Sequence, residues 1–315
     1  MEIEALQTPV AFFVFRRPDS TRRVFEAITQ ARPAKLLLIA DGPRPEREGE
    51  IEACHQVREL VNRVDWPCEV FRNFSESNLG CGERMISGLN WVFSQVEDAI
   101  ILEDDCVPDS SFFPYCQELL GRYRGDSRVT YISGSNMVEK STKIDDSYFF
   151  SQIGSIWGWA TWRSEWRRYD RDLRDWPQLK KRQILKQVFD KQKAVEFWTR
   201  IFDSMHEKRG PDTWDYQWTY TGLKNSSLII VPRVNMVTNI GFGEGATHTI
   251  RADPRSIIPS RSMEFPLRHP TSLIPMRSLD RLLVQGMLPP SISRRILNKI
   301  PRIPGRFIRC RSKQL

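Results

Sequence analysis

Residues 99–113 read AIILEDDCVPDSSFF: four apolar residues run straight into Glu103, Asp104 and Asp105, and apolar residues resume at Cys106. Four consecutive apolar residues suit a strand buried on both faces. Adjacent carboxylates repel, each close pair by roughly 4 kcal/mol at the effective dielectric of a protein surface. A buried strand that ends in three of them calls for a positive group. A hard divalent cation is one solution, because it takes carboxylate oxygens and keeps positions open for phosphate. The plain alternative, an acidic trio on a solvated surface, sits less well at the end of an apolar strand near the middle of a chain.

Working outward from this stretch, strands and helices alternate over residues 9–103. PVAFFVF (9–15) is a continuous apolar strand, and Ser20 is placed to cap a helix carrying Val24 and Ile28. KLLLIA (35–40) is the next strand, closed by the turn Asp41-Gly42-Pro43. Ile51, Cys54, Val57, Val61 and Val64 recur at helical spacing, and CEVFRNF (68–74) is a third strand. Met85, Ile86, Leu89, Val92, Phe93 and Val96 make a helical face that leads into AIIL. Such an alternation predicts an α/β fold: a mainly parallel sheet flanked by helices. Ligands of these sheets bind beyond the carboxyl ends of the strands. Arg16 to Asp19, Asp41 and the Glu103 to Asp105 cluster all fall there and should converge on one crevice.

After Arg128 the pattern changes. VTYISGSN (129–136) and SLIIVPRVN (227–235) read as strands, residues 180–206 as one long helix, and NIGFGEGATH (239–248) as a Gly-rich loop. Trp159, Trp162 and Trp166 fall at i, i+3 and i+7, the spacing with which a helix buries one face, so core packing is the first reading for at least two of them. Gly154 and Gly158 imply that the neighbouring loop approaches something closely, and Trp157 could stack on the apolar face of a sugar.

The composition excludes several classes. Of the 315 residues 40% are hydrophobic and 27% charged, which is ordinary for a globular protein. No apolar run nears the roughly 18 residues of a membrane span, and the acidic start MEIEALQTPV does not resemble a secretory signal. A cytoplasmic protein is the expectation. The six cysteines contain no CxxC pair and are expected as reduced thiols. Residues 255–315 hold 13 Lys and Arg against Glu264 and Asp280, while residues 1–254 carry 34 basic and 37 acidic side chains. The net +8 therefore belongs to the tail, and a nucleic-acid role for the body loses its electrostatic basis. The tail mixes Leu, Ile and Phe with Arg, as a segment lying on anionic lipid does, and a solvated extension is the alternative.

LEDDCVPDSSFF resembles the DxD-type element of glycosyltransferases with the GT-A fold, in the Glu-Asp-Asp form of the eukaryotic N-acetylglucosaminyltransferases. The order of further motifs is similar to bacterial family 2 type glycosyltransferases: Arg16-Arg17-Pro18 after a strand, Ala40-Asp41-Gly42-Pro43, Asn78-Leu79-Gly80-Cys81, GSIWGWATWRSEW, TWDYQW and NIGFGEGATH. The resemblance covers about residues 8–250 and implies a GT-A (Rossmann-like) domain over 1–254. Residues 8–127 would form its nucleotide-sugar-binding half, 128–254 its acceptor and catalytic half, and 255–315 a basic extension outside the resemblance.

The resemblance further implies a role for each matching position. Asp105 binds Mn²⁺ or Mg²⁺, which bridges the diphosphate of the donor, a UDP-sugar by analogy; Asp104 faces the ribose and Glu103 the donor sugar. Asp41 reads the base, Asn78 and Arg16 belong to the donor site, and His248 is a third metal ligand or a diphosphate contact. Taken as residues alone, Asp41 and Asn78 also suit plain turns, and isolated histidines are usually structural. The base that takes the acceptor proton is sought in PDTWDYQW. Asp215, between Trp214 and Tyr216, best matches the family position, and Asp212 after Gly210-Pro211 is the second candidate, each with helix capping as its structural alternative.

The expected activity is metal-dependent, inverting transfer of a sugar to a hydroxyl of a glycan or a lipid-linked acceptor, at the inner face of a membrane if the tail binds one. Two rivals stand beside it. A sugar nucleotidyltransferase would want a Gly-rich phosphate loop after the first strand, where FRRPDSTRR has no glycine. A non-catalytic carbohydrate-binding protein would leave the acid trio without a purpose.

Overall fold

The computed structural model describes residues 6–242 and 258–288. The chain begins with β1 (Val10–Val14), α1 (Pro18–Ala31), β2 (Lys35–Ala40), α2 (Glu50–Val61), β3 (Glu69–Phe74), α3 (Cys81–Gln95) and β4 (Asp98–Glu103). It continues through β5 (Cys106–Pro108), α4 (Phe112–Arg122), β6 (Val129–Ser133), β7 (Tyr148–Ser151), β8 (Trp159–Trp162) and α5 (Arg163–Trp166). Then come α6 (Trp176–Lys181), α7 (Ile184–Val188), α8 (Gln192–His206), α9 (Asp215–Lys224), β9 (Leu228–Pro232), β10 (Val237–Asn239) and α10 (Arg277–Met287).

Eight strands form one sheet in the order β3-β2-β1-β4-β8-β6-β9-β7. The first four are mutually parallel, as are β6 and β9, and β8 enters antiparallel between β4 and β6. The fold class is therefore mixed α/β, a mainly parallel sheet flanked by helices. Parallel alignment puts the carboxyl ends of β1, β2, β3 and β4 on one side, so residues 15–17, 41–44, 75–80 and 103–105 meet there. The acid trio lies in the turn from β4 to β5, and β5 pairs with β10 in a short antiparallel ribbon.

Strands β1, β2 and β4 are buried on both faces because alternate residues enter different cores. Phe12, Leu36, Leu38, Ile100 and Leu102 pack with Val24 and Ile28 of α1, Val57 of α2 and Leu119 of α4. Phe13, Leu37, Ile39 and Ile101 pack on the opposite face with Leu89 and Val92 of α3, Trp166 of α5 and Trp218 of α9. Each fully buried leucine such as Leu38 contributes about 1.5–3 kcal/mol. A third cluster joins Trp176, Trp198, Phe202 and Tyr220 to Leu283 and Val284 of α10.

Several sequence expectations are corrected. Trp159 and Trp162 lie on β8, not on a helix: three residues along a strand reverse the face, and they enter opposite cores, Trp166 following on α5. All three are core residues, where the spacing assigns at least two. The single helix over 180–206 is three helices, interrupted where Gln183 takes a left-handed conformation (φ 53°) and where Phe189 and Lys191 are extended. Ser20 lies inside α1, which begins at Pro18 without a side-chain cap. Ile51 is 59% exposed, because the inward position of the first turn of α2 is taken by Glu50, and Val64 lies beyond the helix. Part of the basic extension packs on the body: Met263, Leu267, Leu279, Leu283 and Val284 are buried, so the apolar face of α10 meets protein rather than lipid. The five described cysteines are free thiols. Among the described residues no helix is long and apolar enough to cross a membrane.

Candidate functional site

A cavity of about 680 Å³ opens at the carboxyl ends of the parallel strands. Arg16, Asp41, Asn78, Glu103, Asp104, Asp105, Asp212 and Asp215 all line it. His248 lies outside the described residues.

The acid turn has found its positive partner in Arg17. The guanidinium donates from Nη2 to Asp104 Oδ1 and, at 2.9 Å, to Asp105 Oδ2. Asp104 also accepts the backbone N–H of Phe15 at 3.3 Å. Burial works against the charge of Arg17, but Asp104 and Asp105 outweigh it and raise its pKa. Burial also pushes the carboxyl of Glu103 up to about 8, with Asp105 and Asp104 adding to the effect. Asp104 is pushed to about 6 by burial, with Arg17 opposing. Arg17 is absent from the candidates drawn from sequence. Its only signal is the pair Arg16-Arg17 past a strand end, and Arg16, also at the cavity, takes a different partner: its Nε lies 3.3 Å from Glu50 Oε2. Arg44 holds the same carboxylate through Nε and Nη2, at 2.9 and 2.6 Å. Hydrogen bonding from Arg44 keeps Glu50 below the usual carboxylate range despite burial. Both guanidiniums flank the Phe15 ring, at 5.7 and 5.6 Å from its centroid.

Asp41 is buried at the end of β2. Its Oδ1 accepts the backbone N–H groups of Gly42 at 2.9 Å and Leu79 at 3.0 Å, and its Oδ2 accepts Asn78 Nδ2 at 2.9 Å. Burial nevertheless raises its pKa. Asn78 also donates to Gly42 O at 3.0 Å, so its amide braces the Asp41 turn and leaves the carboxylate edge at the cavity.

Asp212 and Asp215 approach from the other half of the sheet. Gly82 donates its N–H to Asp212 Oδ1 at 3.0 Å. Asp215 opens α9, and its Oδ1 accepts Thr213 Oγ1 at 2.5 Å and the Tyr216 N–H at 2.9 Å. No hydrogen bond to Asp215 Oδ2 occurs among the described residues, which leaves one carboxylate oxygen available to a ligand. Burial, with Glu103, Asp212 and Asp215 contributing, pushes the neighbouring Cys81 thiol up to about 12 and keeps it neutral among these acids. Trp157 lines the cavity with its ring 5.5 Å from Phe242. The close approaches at Gly154 and Gly158 are to Ile229 and Val237, not to open space.

The acid turn is a set of hard oxygen donors of the kind a divalent cation takes. Among the described residues no group of three or more His, Cys, Asp or Glu could hold a metal ion. Asp105 facing the cavity fits the manner in which Mg²⁺ binds through one or two carboxylates plus substrate phosphates.

No protein-family model matches the chain, and no curated protein matches it in sequence. Among solved structures, a UDP-glucose pyrophosphorylase complexed with UDP-glucose matches at 8% identity and a TM-score of 0.26, over 47% of this chain and 63% of that one. The chain thus spans less than two thirds of that protein. An apo UDP-glucose pyrophosphorylase matches at 7% identity and a TM-score of 0.34, over 73% of this chain and 93% of that one. Mouse xyloside xylosyltransferase 1, also apo, matches at 12% identity and a TM-score of 0.34, over 70% of this chain and 84% of that one. These similarities are slight.

Proposed function

We propose that the chain is a GT-A type, inverting glycosyltransferase that moves a sugar from a nucleotide-diphosphate donor, a UDP-sugar, to a hydroxyl of a glycan or a lipid-linked acceptor. The observation that carries this reading is one cavity at the strand ends lined by both the acid turn 103–105 and the half-free carboxylate of Asp215. Asp41 accepts an N–H from the base, such as the imide of uracil, with Asn78 holding the turn. Asp104 takes the ribose, Glu103 the donor sugar, and Arg16 and Arg17 contribute positive charge toward the phosphates. Asp105, with the donor diphosphate, would hold Mn²⁺ or Mg²⁺, which supplies Lewis acidity toward the leaving group. Asp215 Oδ2 takes the acceptor proton as the acceptor oxygen bonds to the anomeric carbon. The bond from that carbon to the diphosphate oxygen breaks at the same time, and the nucleoside diphosphate departs with the electron pair. One displacement inverts the anomeric centre.

The remaining charge of the extension supports contact with an anionic membrane surface, where a lipid-linked acceptor would reside. Co-sedimentation with anionic and neutral vesicles tests that part. The activity is tested by incubating the protein with a panel of nucleotide sugars and Mn²⁺, Mg²⁺ or EDTA while following nucleoside diphosphate release. Release that requires a divalent cation is expected. Conversion only when pyrophosphate is supplied would point to nucleotidyl transfer, and an intact donor under all conditions to a binding protein.

A further inference from the structure

The carboxylate of Asp212 is seated against the first turn of α3. Besides the hydrogen bond from Gly82, a Cβ on Gly82 would lie 2.6 Å from Asp212 Oδ1, and a Cβ on Gly80 2.5 Å from Asp212 Oδ2. The two glycines are thus the space that the carboxylate fills, at the end of the helix that favours negative charge. The following residue continues the connection. A Cβ on Gly82 would also come within 3.1 Å of Thr213 O, and Thr213 Oγ1 donates to Asp215 Oδ1 at 2.5 Å. Gln217 Nε2 in turn donates to Thr213 O at 3.2 Å. The start of α3 also carries Cys81 and Arg84 into the cavity and follows directly on Asn78, which braces Asp41.

We propose that Asp212 is a positioning residue: a latch that ties the loop carrying Asp215 to the α3 end of the donor site and so sets the distance between donor and base. This rests on the transferase reading above and deepens it. It also assigns different work to the two carboxylates that sequence could not separate. Asp212 Oδ1 accepts from the α3 backbone and its Oδ2 rests against Gly80, whereas Asp215 is held only within its own loop, by Thr213 and Tyr216. A displacement of about 1 Å between reacting groups costs on the order of 10²-fold in rate, so the latch should act on kcat and leave donor affinity nearly alone.

The test is a cycle of Asp212→Ala, Gly82→Ala and the double variant, with Asp212→Asn beside it. Gly82 sits inside α3 without a positive φ, and the atoms an alanine Cβ there would meet first belong to Asp212 and Thr213. Asp212→Ala is expected to lower kcat about 10²-fold with the donor KM little changed. Asp212→Asn should recover most of that loss, because its amide oxygen still accepts the Gly82 N–H, and should keep the acidic limb of the pH profile. Gly82→Ala should resemble Asp212→Ala and add little to it, in rate and in melting temperature alike. Three results would overturn the proposal: additive effects in the double variant, wild-type turnover in Asp212→Ala, or loss of the acidic limb in Asp212→Asn, which would make Asp212 the base. Absence of transfer by the wild type would remove the transferase reading alone, because non-additive melting temperatures would still report the latch between Asp212 and Gly82.

Discussion

Arg17 Nη2 and Asp105 Oδ2 meet at 2.9 Å, the first residue just past β1 and the second just past β4. The same guanidinium serves the buried Asp104, so Arg17→Ala leaves that carboxylate without its cation. Removal of one partner of a buried pair costs about 3–5 kcal/mol. In EDTA the variant should melt well below the wild type, and Mn²⁺ should raise its melting temperature by more than it raises the wild type's. Equal metal-induced shifts in the two proteins would count against a cation site at Asp105.

Replacement of Asp215 by Asn removes a proton acceptor while the amide oxygen still receives Thr213 and Tyr216. Donor binding, followed by calorimetry with a nucleotide sugar, should stay within a small factor of the wild type. Transfer should fall by about 10² to 10⁴-fold, the usual contribution of general base catalysis. A variant that turns over normally would show that the base lies elsewhere.

Asp280 of α10 is buried, accepts Ser151 Oγ at 2.5 Å and has its pKa raised from the ordinary 3.8, chiefly by burial. The folded state holds this proton more tightly than the unfolded chain. Stability therefore declines as pH rises from the unfolded value through the raised folded one, and the penalty is complete above it. Asp280→Asn carries no charge to penalise, so its melting temperature should gain on the wild type as pH rises above the ordinary carboxylate value of 3.8. A gap that narrows with rising pH would contradict this sign.

Leu283 lies in the same cluster as Trp176 and Phe202, far back in sequence. Leu283→Ala should cost about 2–5 kcal/mol in urea unfolding. A change of a few tenths would mean that residues 258–288 are a detachable appendage.

The parallel half of the fold was legible because continuous apolar runs, closed by polar turns, have few other uses. The acid turn stood out for the same reason: three carboxylates interrupt such a run. Legibility failed where a choice depended on partners distant in the chain. Trp159 and Trp162 have a spacing that suits a helix as well as a strand, and the strand is selected by β4 and β6, which bond to it on either side. The apolar pattern over 180–206 continues through two breaks that no Gly or Pro announces. Arg16 and Arg17 are adjacent and chemically alike, yet one turns to Glu50 and the other to Asp104, a distinction only the local backbone makes. Asp212 finds its partner Gly82 across 130 residues.

The placement of β8 bears on how the molecule comes apart. This four-residue strand pairs with β4 on one edge and β6 on the other, and its two tryptophans enter the cores on both faces of the sheet. Nothing in the sheet can open between residues 103 and 129 without also breaking β8. The two parts of the sheet, β1 to β4 and β6 to β9, should therefore melt in one cooperative transition, with calorimetric and van't Hoff enthalpies that agree. Strand pairing of this kind also delays assembly, since β4 must wait for a partner made some 60 residues later.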